Sequence, residues 1–141
     1  MSPSSNPAVQ AVEAAQQQHS DKPEQALVII TSASLQTQGM AMVLARAMQE
    51  QGVQLRILLC DQAGDLAIEG YQSAEALAPK GMKPEGLLQQ IIAAGAEVAV
   101  CALYLPNSAY QEQELRKGVN VAQPAEIAKM MRDINSKVFT F

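Results

Sequence analysis

The chain has 141 residues, of which 48% are hydrophobic and 17% are charged, and its formal net charge is -4 at pH 7. This length and composition are typical of one globular domain, and they exclude an intrinsically disordered chain. The negative charge provides no electrostatic footprint for nucleic acid, so we expect no nucleic-acid partner. No apolar run approaches the length of a membrane span, so we expect no membrane partner either.

Residues 1–25 form a polar segment rich in Ser, Gln, Ala and Pro, and we predict that this segment is mobile. It lacks the apolar stretch of a secretory signal, which favours a cytoplasmic location. A periplasmic location is the alternative if an export signal was removed. The segment contains the only histidine, His19. The domain predicted for residues 26–141 must therefore work without imidazole, which argues against Ser-His-Asp and Cys-His mechanisms.

The first part of this domain has the pattern of a strand, a helix and a second strand. Residues 26–31 (ALVIIT) are a continuous apolar run typical of a buried strand. A helix follows, and Gly52 is expected to end it. We predict that the stripe of this helix facing the sheet comprises Met40, Val43, Leu44, Ala47 and Met48. Residues 53–60 (VQLRILLC) predict the next strand, which ends on Cys60.

The middle of the chain combines turn signals with two predicted helices. We expect a loop at residues 61–64 and a short helix over residues 65–77. A second helix is predicted for residues 84–94, because proline is favoured at the first position of a helix and Pro84 stands there. Gly95 is expected to end this helix and to return the chain to the sheet.

The remaining elements centre on a strand that carries the second cysteine. Residues 97–103 (EVAVCAL) are apolar after the first position and too short for a typical helix, so we predict a buried strand containing Cys101. A short strand is predicted for residues 118–122, a helix from Pro124, and a last strand for residues 137–141. The buried face predicted for the last helix comprises Ile127, Ala128, Met131 and Ile134.

Five strands with helices between them predict an α/β domain, arranged as a three-layer α/β/α sandwich around a five-stranded, mainly parallel sheet. Such sheets bind ligands at the carboxyl ends of their strands. The sequence has neither of the common glycine-rich phosphate-binding motifs, so nucleotide binding is unsupported and we expect no cofactor.

The two cysteines, Cys60 and Cys101, are both predicted near that carboxyl edge. Their separation depends on the order of the strands, because neighbouring strands lie about 5 Å apart and one intervening strand makes the distance nearly 10 Å. A disulfide requires Cα atoms within about 7 Å, so only neighbouring strands allow a disulfide or a shared metal ion. The sequence leaves both arrangements open.

Three segments, taken in order, resemble one known family. AEVAVC, GVNVAQPAEIA and the terminal KVFTF are similar to segments of the DsrE/DsrF/DsrH-like superfamily, the TusD/YchN-like proteins, over about residues 26–141. The resemblance implies a parallel five-stranded sheet and a homo-oligomer, a trimer or a hexamer. In the sulfur-relay members a cysteine after the third strand accepts sulfane sulfur as a persulfide, and Cys101 is the matching position. Cys60 has no counterpart in the minimal family pattern.

The resemblance therefore implies a sulfur-relay-like protein, with possible sulfurtransferase activity but no independent turnover, that exchanges sulfur with donor and acceptor proteins. Cys101 is then the reacting residue. A thiol has an ordinary pKa of about 8.5, and nearby cations or backbone N–H groups can lower that pKa. With no histidine in the domain, the backbone N–H groups of Asn107 and Ser108 are the expected donors that bind the substrate sulfur.

Two alternatives come from other classes of protein. Thiolate and thioether sulfur prefer soft metals such as Cu(I), so a copper-binding protein is one alternative. Its expected ligands are Cys60, Cys101, Met40 and Met42. The other alternative is a non-catalytic oligomeric binding module in which both thiols are inert, since unpaired cysteine often behaves as a small buried hydrophobe.

Overall fold

The computed structural model describes residues 23–141, so the segment predicted to be mobile lies outside the described residues except for its last three positions, and His19 lies outside them. The strands are β1 (Gln25–Ile30), β2 (Gln54–Leu59), β3 (Glu97–Val100), β4 (Val119–Val121) and β5 (Ser136–Thr140). The α-helices in this part of the chain are α1 (Leu35–Glu50), α2 (Pro84–Ala93) and α3 (Pro124–Arg132). Short 3-10 helices occupy Asp61–Ala67, Leu105–Asn107 and Glu112–Glu114.

The five strands form one sheet in the order β4-β3-β2-β1-β5, and every neighbouring pair is parallel. Helices pack on both faces, which confirms the predicted α/β class and the three-layer arrangement. On one face, alternate strand residues such as Val28 and Ile57 pack with α1 and α2 in the main core. On the other face, Leu27 and Leu58 pack with Ile127 of α3 in a smaller cluster.

Helix α1 turns a different face to the sheet from the one predicted. Its buried residues are Gln38, Gly39, Ala41, Met42 and Ala45. Met40, Val43 and Leu44, which were expected in the core, are 52%, 45% and 43% exposed. Three of the five buried residues are small, and at Gly39 the close approach is direct, because a side chain added there would collide with Leu77. The predicted stripe is therefore wrong for Met40, Val43 and Leu44, which give α1 an apolar surface facing outward, whereas Ala47 and Met48 are partly buried and Met48 packs against the main core.

The face predicted for the last helix is also only partly correct. Ile127 is buried, but Ala128 is exposed, Met131 is 52% exposed and Ile134 is 81% exposed. Helix α3 ends at Arg132, so Ile134 lies beyond it. A helix of nine residues makes little more than two turns. It covers the sheet with one buried side chain and cannot hold the longer stripe.

The helix predicted for residues 65–77 is wrong. A 3-10 helix occupies Asp61–Ala67, where a loop was expected, and irregular chain follows it. Tertiary hydrogen bonds replace the helical ones in this segment. The buried guanidinium of Arg116 donates to the carbonyl of Leu66 at 2.8 Å, and the buried carboxylate of Glu85 accepts from the backbone and hydroxyl of Ser73 at 2.8 and 2.6 Å.

Candidate functional site

The strand register places the two cysteines opposite each other. Leu59, the last residue of β2, pairs with Val100, the last residue of β3, so a cysteine directly follows each strand. The Cα atoms of Cys60 and Cys101 lie 5.3 Å apart and their sulfur atoms are joined in a disulfide. Of the two arrangements that the sequence left open, the structure has the neighbouring strands. Neither cysteine is free in the described chain, and these are the only two in the sequence.

Sheet hydrogen bonds extend one residue beyond both strands and hold the backbone of each cysteine. The N–H of Cys60 donates to the carbonyl of Ile30 at 3.1 Å, and the N–H of Cys101 donates to the carbonyl of Leu59 at 2.9 Å. Directly after Cys60, Asp61 adopts a φ of 53°, which turns the chain away from the sheet. Both cysteines are half-buried, so the disulfide lies at the boundary between the core and the carboxyl edge.

A tight turn follows Cys101. The carbonyl of Cys101 accepts from the N–H of Tyr104 at 3.0 Å, and the two intervening residues, Ala102 and Leu103, are exposed. The backbone N–H groups of these two residues donate to no acceptor within residues 23–141. They are the uncommitted backbone donors nearest to the Cys101 sulfur in sequence.

The structure gives Asn107 and Ser108 a role in shaping this loop. Their backbone N–H groups donate to the carbonyls of Tyr104 and Leu105 at 3.2 and 3.1 Å. The Asn107 amide side chain donates to the carbonyl of Leu103 at 2.8 Å, and the Ser108 hydroxyl donates to that of Leu105 at 3.0 Å. These N–H groups are thus already occupied, and the substrate-binding role of the two residues stays a prediction.

A second connection joins the segments that follow the two cysteines. The buried Tyr104 donates its hydroxyl hydrogen to the Asp65 carboxylate at 2.6 Å, across 39 residues of chain. Burial and this hydrogen bond raise the pKa of Tyr104, so the phenol remains a neutral donor at physiological pH. The tyrosine ring lies against Gly64, where any added side chain would collide with it.

Arg116 holds the segment after Cys60 in place through hydrogen bonds. Its buried guanidinium donates to the backbone carbonyls of Leu66 and Tyr71, each at 2.8 Å. The backbone N–H of Arg116 donates to the backbone carbonyl of Ala67, also at 2.8 Å. The sequence gives no signal for these contacts, nor for the pairing of Tyr104 with Asp65. All of them depend on strand order, which brings the loops after β2 and β3 together.

The four ligands of the copper alternative are arranged unfavourably. The two cysteine sulfurs are bonded to each other, so both would need to be reduced before they could bind a metal. Met42 is fully buried in the main core, whereas Met40 is 52% exposed on another side of α1. Within residues 23–141, no group of three or more His, Cys, Asp or Glu side chains is placed to hold a metal ion.

A cleft of about 810 Å³ lies at the opposite edge of the sheet, where the strands begin, and it contains neither cysteine. In this cleft Arg56 lies 3.7 Å from the Glu97 carboxylate and 3.2 Å from the Glu126 carboxylate. Lys129 and Asp133 also line it. This cleft holds no thiol, so we place the candidate site at the cysteine edge.

Solved structures with the same fold confirm the architecture suggested by the sequence resemblance, a DsrE/YchN-like fold. The ychN protein of E. coli superposes with a TM-score of 0.67 at 20% sequence identity, over 85% of this chain and 100% of that chain. A protein of unknown function from Methanobacterium thermoautotrophicum, MTH1491, gives a TM-score of 0.66 at 10% identity, over 84% and 99%. At these identities the likeness shows the fold alone. No protein-family model and no curated protein matches the sequence.

Within the described residues, no helix is long and apolar enough to cross a membrane.

Proposed function

We propose that this protein carries sulfane sulfur as a persulfide on Cys101. The observation that carries the proposal is the position of this residue. Cys101 directly follows β3 at the carboxyl edge of a YchN-like parallel sheet, and a second sulfur atom already lies within bonding distance of its own. The Cys101 sulfur already forms one sulfur–sulfur bond at this edge, so it is able to form another once the disulfide has been reduced.

The chemistry starts from the reduced pair. The Cys101 thiolate attacks the outer sulfur of a donor persulfide, a new S–S bond forms on Cys101, and the donor departs as its thiolate. Delivery repeats the step in the other direction, with an acceptor thiolate attacking the outer sulfur and Cys101 leaving as thiolate. No electrons are gained or lost overall. The protein therefore acts as a carrier between a donor and an acceptor protein, without independent turnover.

A working carrier requires the thiolate form of Cys101 near neutral pH. The residues from Cys101 to Gln111 include no charged side chain, so a nearby lysine or arginine in this loop cannot supply the stabilisation. We propose that the uncommitted backbone N–H groups of Ala102 and Leu103 supply it, in the role that the sequence assigned to Asn107 and Ser108. Donors of this kind favour the anion and lower the pKa of a thiol.

Intact mass spectrometry tests the proposal. Reduced Cys60→Ser protein, which keeps only Cys101, should gain the mass of one sulfur atom after incubation with inorganic polysulfide and removal of the excess. The matched Cys101→Ser variant, which keeps only Cys60, should gain little. Equal loading of the two variants, or loading of Cys60→Ser only after denaturation, would contradict a carrier role for Cys101 and would favour inert thiols.

We propose, further, that the protein is a homo-oligomer, a trimer or a hexamer, assembled through the outward face of α1. Met40, Val43 and Leu44 form an uncharged apolar stripe there, and contiguous exposed apolar patches often mark protein–protein interaction sites. We propose that a second copy of the chain covers this stripe, because two uncharged apolar stripes can pack together without complementary charges. A closed oligomer would bring equivalent stripes together.

Light scattering at micromolar concentration tests the assembly. Met40→Glu should dissociate the oligomer, whereas Met131→Glu, a substitution on α3 at an equal exposure of 52%, should leave it intact. A monomeric wild type would contradict the proposal. Dissociation by Met131→Glu alone would place the interface on the other face of the sheet.

Compartment and redox form are linked in this protein. A persistent Cys60–Cys101 disulfide is typical of an oxidising compartment such as the periplasm, whereas the cytoplasm keeps thiols reduced. The cytoplasmic location expected from the sequence would therefore favour the dithiol form, and a periplasmic location would favour the disulfide.

A further inference from the structure

We infer that the Cys60–Cys101 disulfide is itself a loading form of the carrier, that hydrosulfide is the substrate it takes, and that Cys60 is the leaving group. This inference rests on the proposed function, because it supplies a route to the same Cys101 persulfide. It also assigns a role to Cys60, which the minimal sulfur-carrier chemistry does not use.

The step balances without any further oxidant. Hydrosulfide attacks the Cys101 sulfur, a bond forms between the two, and the Cys60–Cys101 bond breaks with its electron pair leaving on the Cys60 sulfur. The products are a persulfide on Cys101 and a thiolate on Cys60, and the proton of hydrosulfide passes to either of them. The incoming sulfur is oxidised to the sulfane level by an electron pair, and the protein disulfide is reduced by the same pair.

The fold holds the leaving group in place. Both cysteines keep a sheet hydrogen bond through their own N–H groups, at 3.1 and 2.9 Å, and these bonds do not involve the sulfur atoms. After the disulfide opens, the Cys60 sulfur therefore remains opposite Cys101, at the 5.3 Å Cα separation set by the strand register. The reverse reaction, in which the Cys60 thiolate expels hydrosulfide from the persulfide, is then intramolecular and has a high effective concentration.

Charge favours attack on Cys101 over attack on Cys60. Asp61 directly follows Cys60, and its carboxylate repels an anionic nucleophile. The Asp65 carboxylate does not contribute to this preference, because it is hydrogen-bonded to Tyr104 in the loop after Cys101. The segment after Cys101 has no charged side chain as far as Gln111. Both cysteines are half-buried, which admits hydrosulfide, a single heavy atom, more readily than the persulfide of a protein donor. Hydrosulfide should therefore open the disulfide with its sulfur attached to Cys101.

Sodium sulfide added to the oxidised wild-type protein without oxygen is the direct test. Alkylation followed by peptide mapping should find the extra sulfur on the Cys101 peptide and an ordinary alkylated thiol at Cys60. Cys60→Ser cannot form the disulfide, so sulfide alone should leave its mass unchanged, although polysulfide loads it. This control also reports polysulfide contamination of the sulfide. Cys60→Ala repeats the control if the serine variant folds poorly.

Discharge provides the second readout. Wild-type protein loaded in its reduced form should release hydrosulfide faster than loaded Cys60→Ser, on the order of tenfold or more, because only the wild type has an intramolecular attacking thiol. Equal release rates, an oxidised wild type that sulfide leaves unchanged, or extra sulfur on Cys60 would each overturn the inference. Failure of polysulfide to load Cys60→Ser would instead overturn the proposed function, so the two failures are distinguishable.

Discussion

The cysteines and the cleft lie at opposite edges of the sheet. The amino edge has a cleft of about 810 Å³, in which Arg56 is paired with the carboxylates of Glu97 and Glu126. The carboxyl edge holds a half-buried disulfide between Cys60 and Cys101, with tightly bonded loops around it. In parallel sheets the carboxyl ends of the strands are where functional residues gather. Here that rule selects the cysteine edge as the candidate site, whereas the volume of the cleft would select the opposite edge.

The loops at the two edges also differ in how they are held. At the carboxyl edge, the chain after Cys60 is joined to the chain after Cys101 by the disulfide and by the Tyr104–Asp65 hydrogen bond. At the amino edge, the connections to Arg56 are ion pairs with carboxylates whose side chains are 75% and 62% exposed. Changes at the carboxyl edge should therefore cost more stability, and they alone should affect sulfur loading.

The largest effect is expected from reducing the disulfide. The bond closes a loop of 41 residues, and the loss of chain entropy in the unfolded state makes such a cross-link worth about 4 kcal/mol. Denaturant unfolding with and without reductant measures this contribution. Cys60→Ser is the control, since its stability should not respond to reductant. A change in the wild type below about 1 kcal/mol would show that the entropy model fails here.

A substitution at Gly64, which lies against the Tyr104 ring, should have the next largest effect on stability. Gly64→Val should destabilise the fold by about 3 kcal/mol, because the new side chain collides with the Tyr104 ring in a well-packed region. Gly70→Val is the matched control, since a Cβ added at Gly70 meets no atom within 4 Å. Similar unfolding midpoints for the two variants would show that the carboxyl-edge loops adapt freely.

Removal of the hydroxyl that bonds Asp65 should have a moderate effect. Tyr104→Phe should cost about 1.5 kcal/mol, the range for a hydrogen bond to a charged group. The pKa of Tyr104 is raised above its ordinary value of 10.0, so its contribution is fully present below pH 10 and is lost as the pH rises further and the unfolded tyrosine ionises. Unfolding measured across this alkaline range should therefore show a shallower loss of stability in Tyr104→Phe. An unchanged slope would assign the alkaline loss to other groups, such as Tyr71, whose pKa burial also raises.

The smallest effect is expected at the amino edge. Glu126→Gln removes an ion pair to Arg56 in which the carboxylate is largely exposed, so the free energy of unfolding should fall by less than about 1 kcal/mol. Polysulfide loading of Cys101 should be unchanged. A loss of loading in this variant would show that the two edges are coupled and would weaken the separation drawn between them.

The sequence was sufficient for the fold class and for placing both cysteines near the carboxyl edge of the sheet. Continuous apolar runs located β1, β2 and β3 to within a few residues, and the order of elements predicted the α/β class. The buried face of helix α1 was predicted wrongly because the helix carries two apolar stripes. The sequence does not show that small residues at Gly39 and Ala41 let that side of the helix approach its neighbours more closely. The disulfide could not be predicted because spacing along the chain does not give strand order. The same reason hides the Tyr104–Asp65 contact.

The reactivity of Cys101 in the folded Cys60→Ser protein, followed as alkylation rate against pH, tests the carrier proposal most directly. A sulfur carrier requires a populated thiolate that a partner can reach. We predict rapid labelling in the folded state with an apparent pKa clearly below the ordinary value of about 8.5. No such labelling should occur in the Cys60→Ser, Cys101→Ser double variant. Slow labelling in the folded state that becomes fast only on unfolding would contradict the account and leave Cys101 as a residue of the core.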